Sequence, residues 1–238
     1  MNNTIAKSVI TDETSARWYI KDFMDEQTVE QISYVMSRCK EKIRAVAILD
    51  DTLEPLKYQA GLYTRYFLDE LTKITDMVDV AVFKKNEDPD IEKQINPEYF
   101  PVLALIDSSG KYSGVCFYGF PGGFELEAFI LAMYNLSGPG QPLDSDLEKR
   151  IKAFDSPINL KLGISLSCNV CPELVQTANR FAILNPQIVA ETFDLECFPE
   201  LMNRFDIPSV PAMVINDSEL VFGRKDIKDL LDILELRN

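Results

Sequence analysis

The sequence predicts an α/β protein: two tandem copies of one unit, each a central mixed sheet flanked by helices, with an extra N-terminal helical segment. Three observations predict it. Short β-branched runs alternate with stretches of helical periodicity, the same order of elements occurs twice, and in each copy a proline opens the third strand just ahead of a hairpin. The chain has 238 residues, 46% of them hydrophobic and 26% charged, which suits an ordinary globular core rather than a disordered or fibrous chain.

Residues 1–43 read as mostly helical. Thr11–Asp12 can cap a segment containing Trp18, Phe23 and Met24, and a second stretch puts Val29, Ile32, Val35 and Met36 on one face. Residues 44–49 (RAVAIL) form a short buried strand. Pro55 opens a helix over 55–74, with Leu62, Tyr66 and Leu71 among its apolar positions; 78–83 (VDVAVF) is a strand and 88–96 a short helix. Phe100–Pro101 leads into VLALID, which turns at Ser108–Gly110 into KYSGVCFYG, and a helix over 122–136 closes the unit. Ser137–Pro142 is rich in turn residues and marks a boundary.

A helix over 144–154 follows, and then the order recurs. NLKLGIS (159–165) is a strand, and 172–184 a helix with Leu174, Val175, Ala178, Phe181 and Ala182 facing inward. After these come a strand over 188–193, a short helix over 198–205, Val210–Pro211 leading into AMVIN, a turn at Asn216–Asp217, ELVFG, and a helix over 226–236. A proline cannot supply a ladder N–H, so its place at both strand entries is the tolerated one. A β-α-β unit followed by a hairpin and a helix is the order of the thioredoxin fold. The expected division is a helical extension over 1–43, a thioredoxin-like domain without a cysteine pair over 44–137, and a thioredoxin-like domain with one over 143–238.

Composition removes several chemistries. The chain has no histidine, which excludes Ser-His-Asp and Cys-His nucleophiles, His-liganded zinc and an imidazole proton shuttle. With 24 Lys+Arg against 38 Asp+Glu the formal charge is −14, so nucleic acid and anionic membranes are not expected partners. Five cysteines, at 39, 116, 168, 171 and 197, are an odd number in a chain with no apparent leader and no apolar run long enough for a bilayer. A reducing, cytoplasmic location is expected, with the cysteines outside any structural disulfide framework.

One pair has CxxC spacing. Strand NLKLGIS runs into Leu166-Ser167-Cys168-Asn169-Val170-Cys171-Pro172 and then a helix. A sulfur at a helix N-terminus sits where unpaired N–H groups and the macrodipole favour an anion, and the thiolate is the form that attacks a disulfide. Cys168 is therefore the candidate nucleophile and Cys171, three residues on, the candidate resolving thiol. Half a zinc site and a pair of core cysteines are the competing readings. The first needs further ligands that the other cysteines do not supply as a pair, and the second fits poorly with Ser167, Asn169 and Pro172 crowding a strand-to-helix loop. No bound cofactor is expected beyond the Cys168–Cys171 redox disulfide.

In a thioredoxin-like fold Val210–Pro211 would be cis and lie beside the cysteine pair, shaping a groove where a partner backbone docks. Val210, Pro211, Asn169 and Val170 are thus the candidate substrate-binding residues. In the first copy Asp51-Thr52-Leu53-Glu54-Pro55 stands opposite the CxxCP stretch. Carboxylates cannot exchange disulfides, so that copy is expected to be redox-inert, with Asp51 and Glu54 as helix-start acids and Phe100–Pro101 as a structural counterpart of Val210–Pro211. Of the other cysteines, Cys39 falls on a predicted helix and Cys116 on a strand. Cys197 is at a helix start that could activate it.

SLSCNVCPELVQ (165–176), Leu184-Asn185-Pro186 and Val210-Pro211-Ala212 closely resemble the N-terminal domain of the flavoprotein component of bacterial alkyl hydroperoxide reductase, itself a tandem thioredoxin fold. The resemblance covers about residues 44–236 and is most specific around the CxxC helix. Gly119-Phe-Pro-Gly-Gly-Phe-Glu125 is similar to the family's approach to a glutamate near the cysteines. The resemblance thereby implies Glu125 as proton acceptor or donor for a buried Cys171; a surface acid at a helix start is the other reading. Asn169 stands where the family commonly has histidine. No GxGxxG follows a strand, so a free-standing carrier is implied. It would take electrons from a separate thioredoxin-reductase-like flavoprotein and pass them to a peroxiredoxin or another disulfide-bearing protein. A general protein disulfide oxidoreductase and a redox-silent peptide-binding scaffold are the alternatives.

Overall fold

A computed structural model describes residues 9–237, so the first eight residues of the expected helical segment lie outside the described residues. The Asp12 carboxylate accepts the Ser15 N–H at 2.8 Å and starts α1 (Glu13–Phe23); Asp25 accepts the Thr28 N–H at 2.8 Å and starts α2 (Glu26–Met36). Ala16 and Ile20 of α1 and Ile32 and Met36 of α2 are buried, whereas Trp18 stays 67% exposed. Cys39 lies beyond α2 rather than on a helix. The chain there closes with tight Arg38 N–H to Val35 O and Cys39 N–H to Met36 O bonds, which end the helix early.

The first repeat comprises β1 (Ile43–Leu49), α3 (Pro55–Ile74), β2 (Val78–Lys84), α4 (Pro89–Ile95), β3 (Val102–Ile106), β4 (Tyr112–Tyr118) and α5 (Glu125–Ser137). After α6 (Ser145–Lys152) the second follows as β5 (Ile158–Ile164), α7 (Cys171–Leu184), β6 (Ile188–Asp194), α8 (Pro199–Arg204), β7 (Ala212–Ile215), β8 (Glu219–Phe222) and α9 (Ile227–Glu235). Each repeat pairs its first two strands in parallel and adds the hairpin antiparallel to the first strand.

The two sets of four strands join. Among the described residues they form one eight-stranded sheet in the order β2-β1-β3-β4-β6-β5-β7-β8, with β4 parallel to β6 from Val115↔Ala190 to Tyr118↔Phe193. Side chains alternate across this joint as strand geometry requires. Phe117 packs with Phe129 of α5 on one face, while Cys116 and Tyr118 lie on the other with Phe193 and Phe198. The Tyr118 and Phe193 rings stack across the joint with centroids 4.3 Å apart, and Tyr99 and Phe198 meet both edge-on. Aromatic pairs of this kind add to the apolar area they bury.

Phe193→Ala should therefore remove about 3–5 kcal/mol of stability, read as a lowered urea midpoint. A loss below about 1 kcal/mol would contradict the packing at the joint.

Candidate functional site

β5 ends at Ile164, and a six-residue loop carries the chain to α7, whose first residue is Cys171. Cys168 and Cys171 are joined by a disulfide with their Cα atoms 5.5 Å apart. The two sulfurs differ in access. Cys168 is half-buried on the loop, flanked by exposed Asn169 and Val170, whereas Cys171 is fully buried in the apolar core. The Cys168 N–H donates to Ser165 O at 2.9 Å, which folds the loop back over the end of β5. Pro172 takes the second position of α7, where its missing N–H removes no helical bond. Of the two sulfurs, that of Cys168 is the accessible one and that of Cys171 is closed off from solvent.

Val210 and Pro211 immediately precede β7, whose Ala212 pairs with Gly163, one residue short of the end of β5. They thus stand at the end of the sheet from which the cysteine loop leaves, and Val210 packs against the same apolar cluster as Cys168. The Val210–Pro211 bond is cis, as are Phe100–Pro101 and Gly138–Pro139. In the first repeat the acids opposite the cysteines are held in ion pairs. Asp51 meets Lys84 at 2.6 Å, and Glu54 meets Lys57 at 3.1 Å.

Glu125 opens α5, and it is not a surface acid: its relative exposure is 0%. Its backbone is drawn in because the Phe124 N–H donates to Leu166 O at 3.1 Å, two residues before Cys168. Gly123 makes the approach possible. It has φ +55°, and a Cβ there would come within 2.3 Å of Leu166 O. Neither carboxylate oxygen of Glu125 has a hydrogen-bond partner among the described residues. Burial, with a further contribution from the charge of Asp194, pushes the carboxyl from its ordinary 4.5 up to about 8.

The remaining cysteines are not primed. Cys197 precedes α8, yet burial first and the Asp194 carboxylate second push its thiol well up, opposite to the direction in which a helix start could move it. Cys116 is raised by burial and Glu191, and half-buried Cys39 by burial. Among the described residues no cluster of three or more potential ligands could hold a metal, and no helix is long and apolar enough to cross a membrane. Sequence reasoning missed Thr192 and Asp194, which face Glu125 from the end of β6. The available signal was their place at the C-terminal end of a parallel strand, where α/β sheets gather functional groups.

A thioredoxin-domain family matches residues 158–235. The alkyl hydroperoxide reductase component AhpF of Pseudomonas aeruginosa is 26% identical over 208 residues, covering 87% of this chain and 36% of that protein. This chain spans about a quarter to a third of the length of the curated relatives it matches. Among solved structures, a point mutant of AhpF from Enterococcus faecalis is 32% identical with a TM-score of 0.83, covering 89% of this chain and 99% of that one. The NTD_N/C domain of E. faecalis AhpF is 31% identical with a TM-score of 0.82, covering 88% and 99%.

The buried carboxyl has a thermodynamic signature. Between the ordinary 4.5 and about 8 the folded chain keeps a proton on Glu125 that the unfolded chain has lost, so this contribution is full below 4.5 and declines as pH rises toward 8. Urea unfolding at pH 5 and pH 8 should show wild type losing more stability over that interval than Glu125→Gln, which cannot ionise. Equal losses in the two proteins would refute a buried, protonated Glu125.

Proposed function

We propose that this chain, which belongs to the AhpF family of alkyl hydroperoxide reductase components through its tandem thioredoxin region and is a dithiol–disulfide oxidoreductase, relays electrons through Cys168 and Cys171 from a thioredoxin-reductase-like flavoprotein to a peroxiredoxin or another disulfide-bearing protein. The observation that carries this reading is a closed disulfide between one half-buried sulfur on a loop and one sealed at the start of a helix.

Charging begins when a donor thiolate attacks the Cys168 sulfur. The S–S bond breaks, Cys171 leaves with the electron pair and takes the proton of Glu125 to become a thiol. The donor's second thiolate then attacks the mixed disulfide and releases Cys168 as a thiolate. Discharge runs the other way. The Cys168 thiolate attacks an acceptor disulfide, Cys171 gives its proton to the Glu125 carboxylate, and its thiolate attacks Cys168 to restore the ring and free the reduced acceptor. Two electrons pass in each direction.

An unpaired thiolate at Cys171 would be costly in its apolar surroundings, which is why a buried acid–base partner titrating near neutral pH suits the step. Exposed Asn169 and Val170, with Val210 and Pro211 at the start of β7, would meet the partner's backbone. The division into a redox-inert 44–137 domain and an active 143–238 domain belongs to this reading, since Asp51 and Glu54 carry no sulfur to exchange. So does a cytoplasmic setting, which suits the free thiols of Cys39, Cys116 and Cys197.

Cys171→Ser should accumulate mixed disulfides with a peroxiredoxin through Cys168, detectable by mass spectrometry, and Cys168→Ser should bring peroxiredoxin reduction down to baseline. Graded-pH alkylation of the reduced protein should place Cys168 below the free-thiol value of about 8.5. An absence of trapped species together with baseline reduction by wild type would end this reading.

A further inference from the structure

Glu125 is sealed from solvent, so any proton it exchanges with bulk water needs a route through the protein. A small cavity of about 10 Å³ lies against it, walled by Glu125, Thr192, Asp194, Ile164, Leu166 and Phe120 among others. That is the space of roughly one water molecule. Its polar lining is unusual for so apolar a place. Both Glu125 oxygens and the Thr192 hydroxyl are buried with no hydrogen-bond partner among the described residues, and the Asp194 side chain completes the wall. A single water needs two to four polar partners to be held in an interior, and these groups provide them.

Asp194 also lines a second space. A surface groove of about 410 Å³ runs between α1, α3 and the loop after β6, and its walls include Tyr19, Leu56, Asp194, Glu196 and Cys197. Among the described residues that wall the inner cavity, Asp194 is the ionisable group that also meets this groove. Its carboxylate is fixed in place because Oδ1 accepts the Glu196 N–H at 3.1 Å. The other ionisable groups lining these two spaces are Tyr118 on β4, Tyr19 on α1, Tyr63 on α3, and Glu196 and Cys197 beyond β6, with Lys57 of α3 acting on Cys197, whereas Glu127 on α5 faces a different groove beside α2.

We infer that Asp194 is the positioning and relay residue through which Glu125 exchanges its proton with solvent, by way of one water held by Glu125, Thr192 and Asp194. In each passage the donor carboxyl loses a proton to the water while the water passes another to the acceptor carboxylate. No electron moves. This inference rests on the reading of Glu125 as the acid–base partner of Cys171, and it deepens that reading by giving the buried acid its route to bulk water.

The route can be timed without thiol chemistry. The oxidised full chain is moved into D2O near pH 6, and the carboxylic C=O band of Glu125, identified by its loss in Glu125→Gln, is followed by infrared spectroscopy. Asp194→Asn cannot carry a proton but can still accept the Glu196 N–H, and it should slow hydrogen–deuterium exchange at this band by about tenfold or more; Asp194→Glu should restore it. Thr192→Val removes the hydroxyl at nearly constant shape and should also slow exchange, and it decides the matter alone should Asp194→Asn not fold. Exchange at the wild-type rate in Asp194→Asn overturns the relay. Disulfide reduction by dithiothreitol is measured alongside. If Glu125→Gln reacts as fast as wild type, the acid–base role of Glu125 is what fails, a result separate from the exchange rates.

Discussion

The parallel pairing of β4 with β6 is the constraint on which the site depends. β5 is also parallel to β6, so β4, β5 and β6 all run the same way and end at one edge of the sheet. From those three ends leave the Gly119–Phe124 loop that delivers Glu125, the Ser165–Val170 loop that carries Cys168, and Asp194. The C-terminal edge of parallel strands is where helix N-termini converge, and α5, α7 and α8 all begin there. A one-residue slip at this joint would turn Tyr118 and Phe193 to the wrong face and separate Glu125 from the cysteine loop. The proposed site is composite: its sulfurs come from one repeat and its buried acid from the other.

The same three strands are tied together on the opposite face. Tyr118 of β4 donates its hydroxyl to Glu191 of β6 at 3.0 Å, and Glu191 faces Lys161 of β5 at 3.3 Å and accepts from Asn159 at 2.6 Å. Lys161, with only 7% of its side chain exposed, also meets Asp217 at 2.9 Å. Buried charges satisfied this fully add little net stability, but removing one partner leaves the others uncompensated, so the network penalises alternative registers. The polar groups that share a small cavity with Leu166 of the cysteine loop are treated in the opposite way. Among the described residues the Glu125 carboxylate oxygens and the Thr192 hydroxyl have no hydrogen-bond partner, while Lys161 and Glu191 on the far face are paired. One face ties the strands together with paired charges, and the other holds a buried carboxyl without a hydrogen-bond partner among the described residues.

Much of this was legible along the chain. The helix over 55–74 has the same bounds in sequence and structure because Pro55 marks its start and its apolar positions recur with one period. The cysteine pair was legible because its strand, loop and helix are contiguous. The β4–β6 joint was not, since each repeat is complete by pattern alone and nothing local states which edge meets which. Glu125 came only through resemblance. An acid in the first turn of a helix looks the same whether it faces water or the core, and its burial depends on Leu166, which belongs to the other repeat. Asp194 and Thr192 escaped notice because the end of a buried strand carries no pattern of its own. Cys197 misled for a related reason. A helix start favours a thiolate, but α8 has only six residues and the desolvation of a buried thiol outweighs its dipole.

The two repeats share a fold, and only one has sulfur to exchange; that asymmetry has a physical rationale. Without the first repeat β6 would be an open edge strand, with unpaired N–H and C=O groups beside the redox pair and ready to pair with another chain. With it, that edge is covered by β4, and the loop that follows β4 brings the buried Glu125 carboxyl against Leu166 of the cysteine loop. A second live cysteine pair at positions 51 and 54 would add nothing to this arrangement, because that loop stands at the end of β1, separated from β6 by β3 and β4. The ion pairs Asp51–Lys84 and Glu54–Lys57 serve there instead, holding the start of α3 in place while Lys57 also reaches Glu200 of α8 at 2.6 Å. The first repeat thus walls the edge of the second, and on the proposed reading it also supplies the acid–base partner of the cysteine pair.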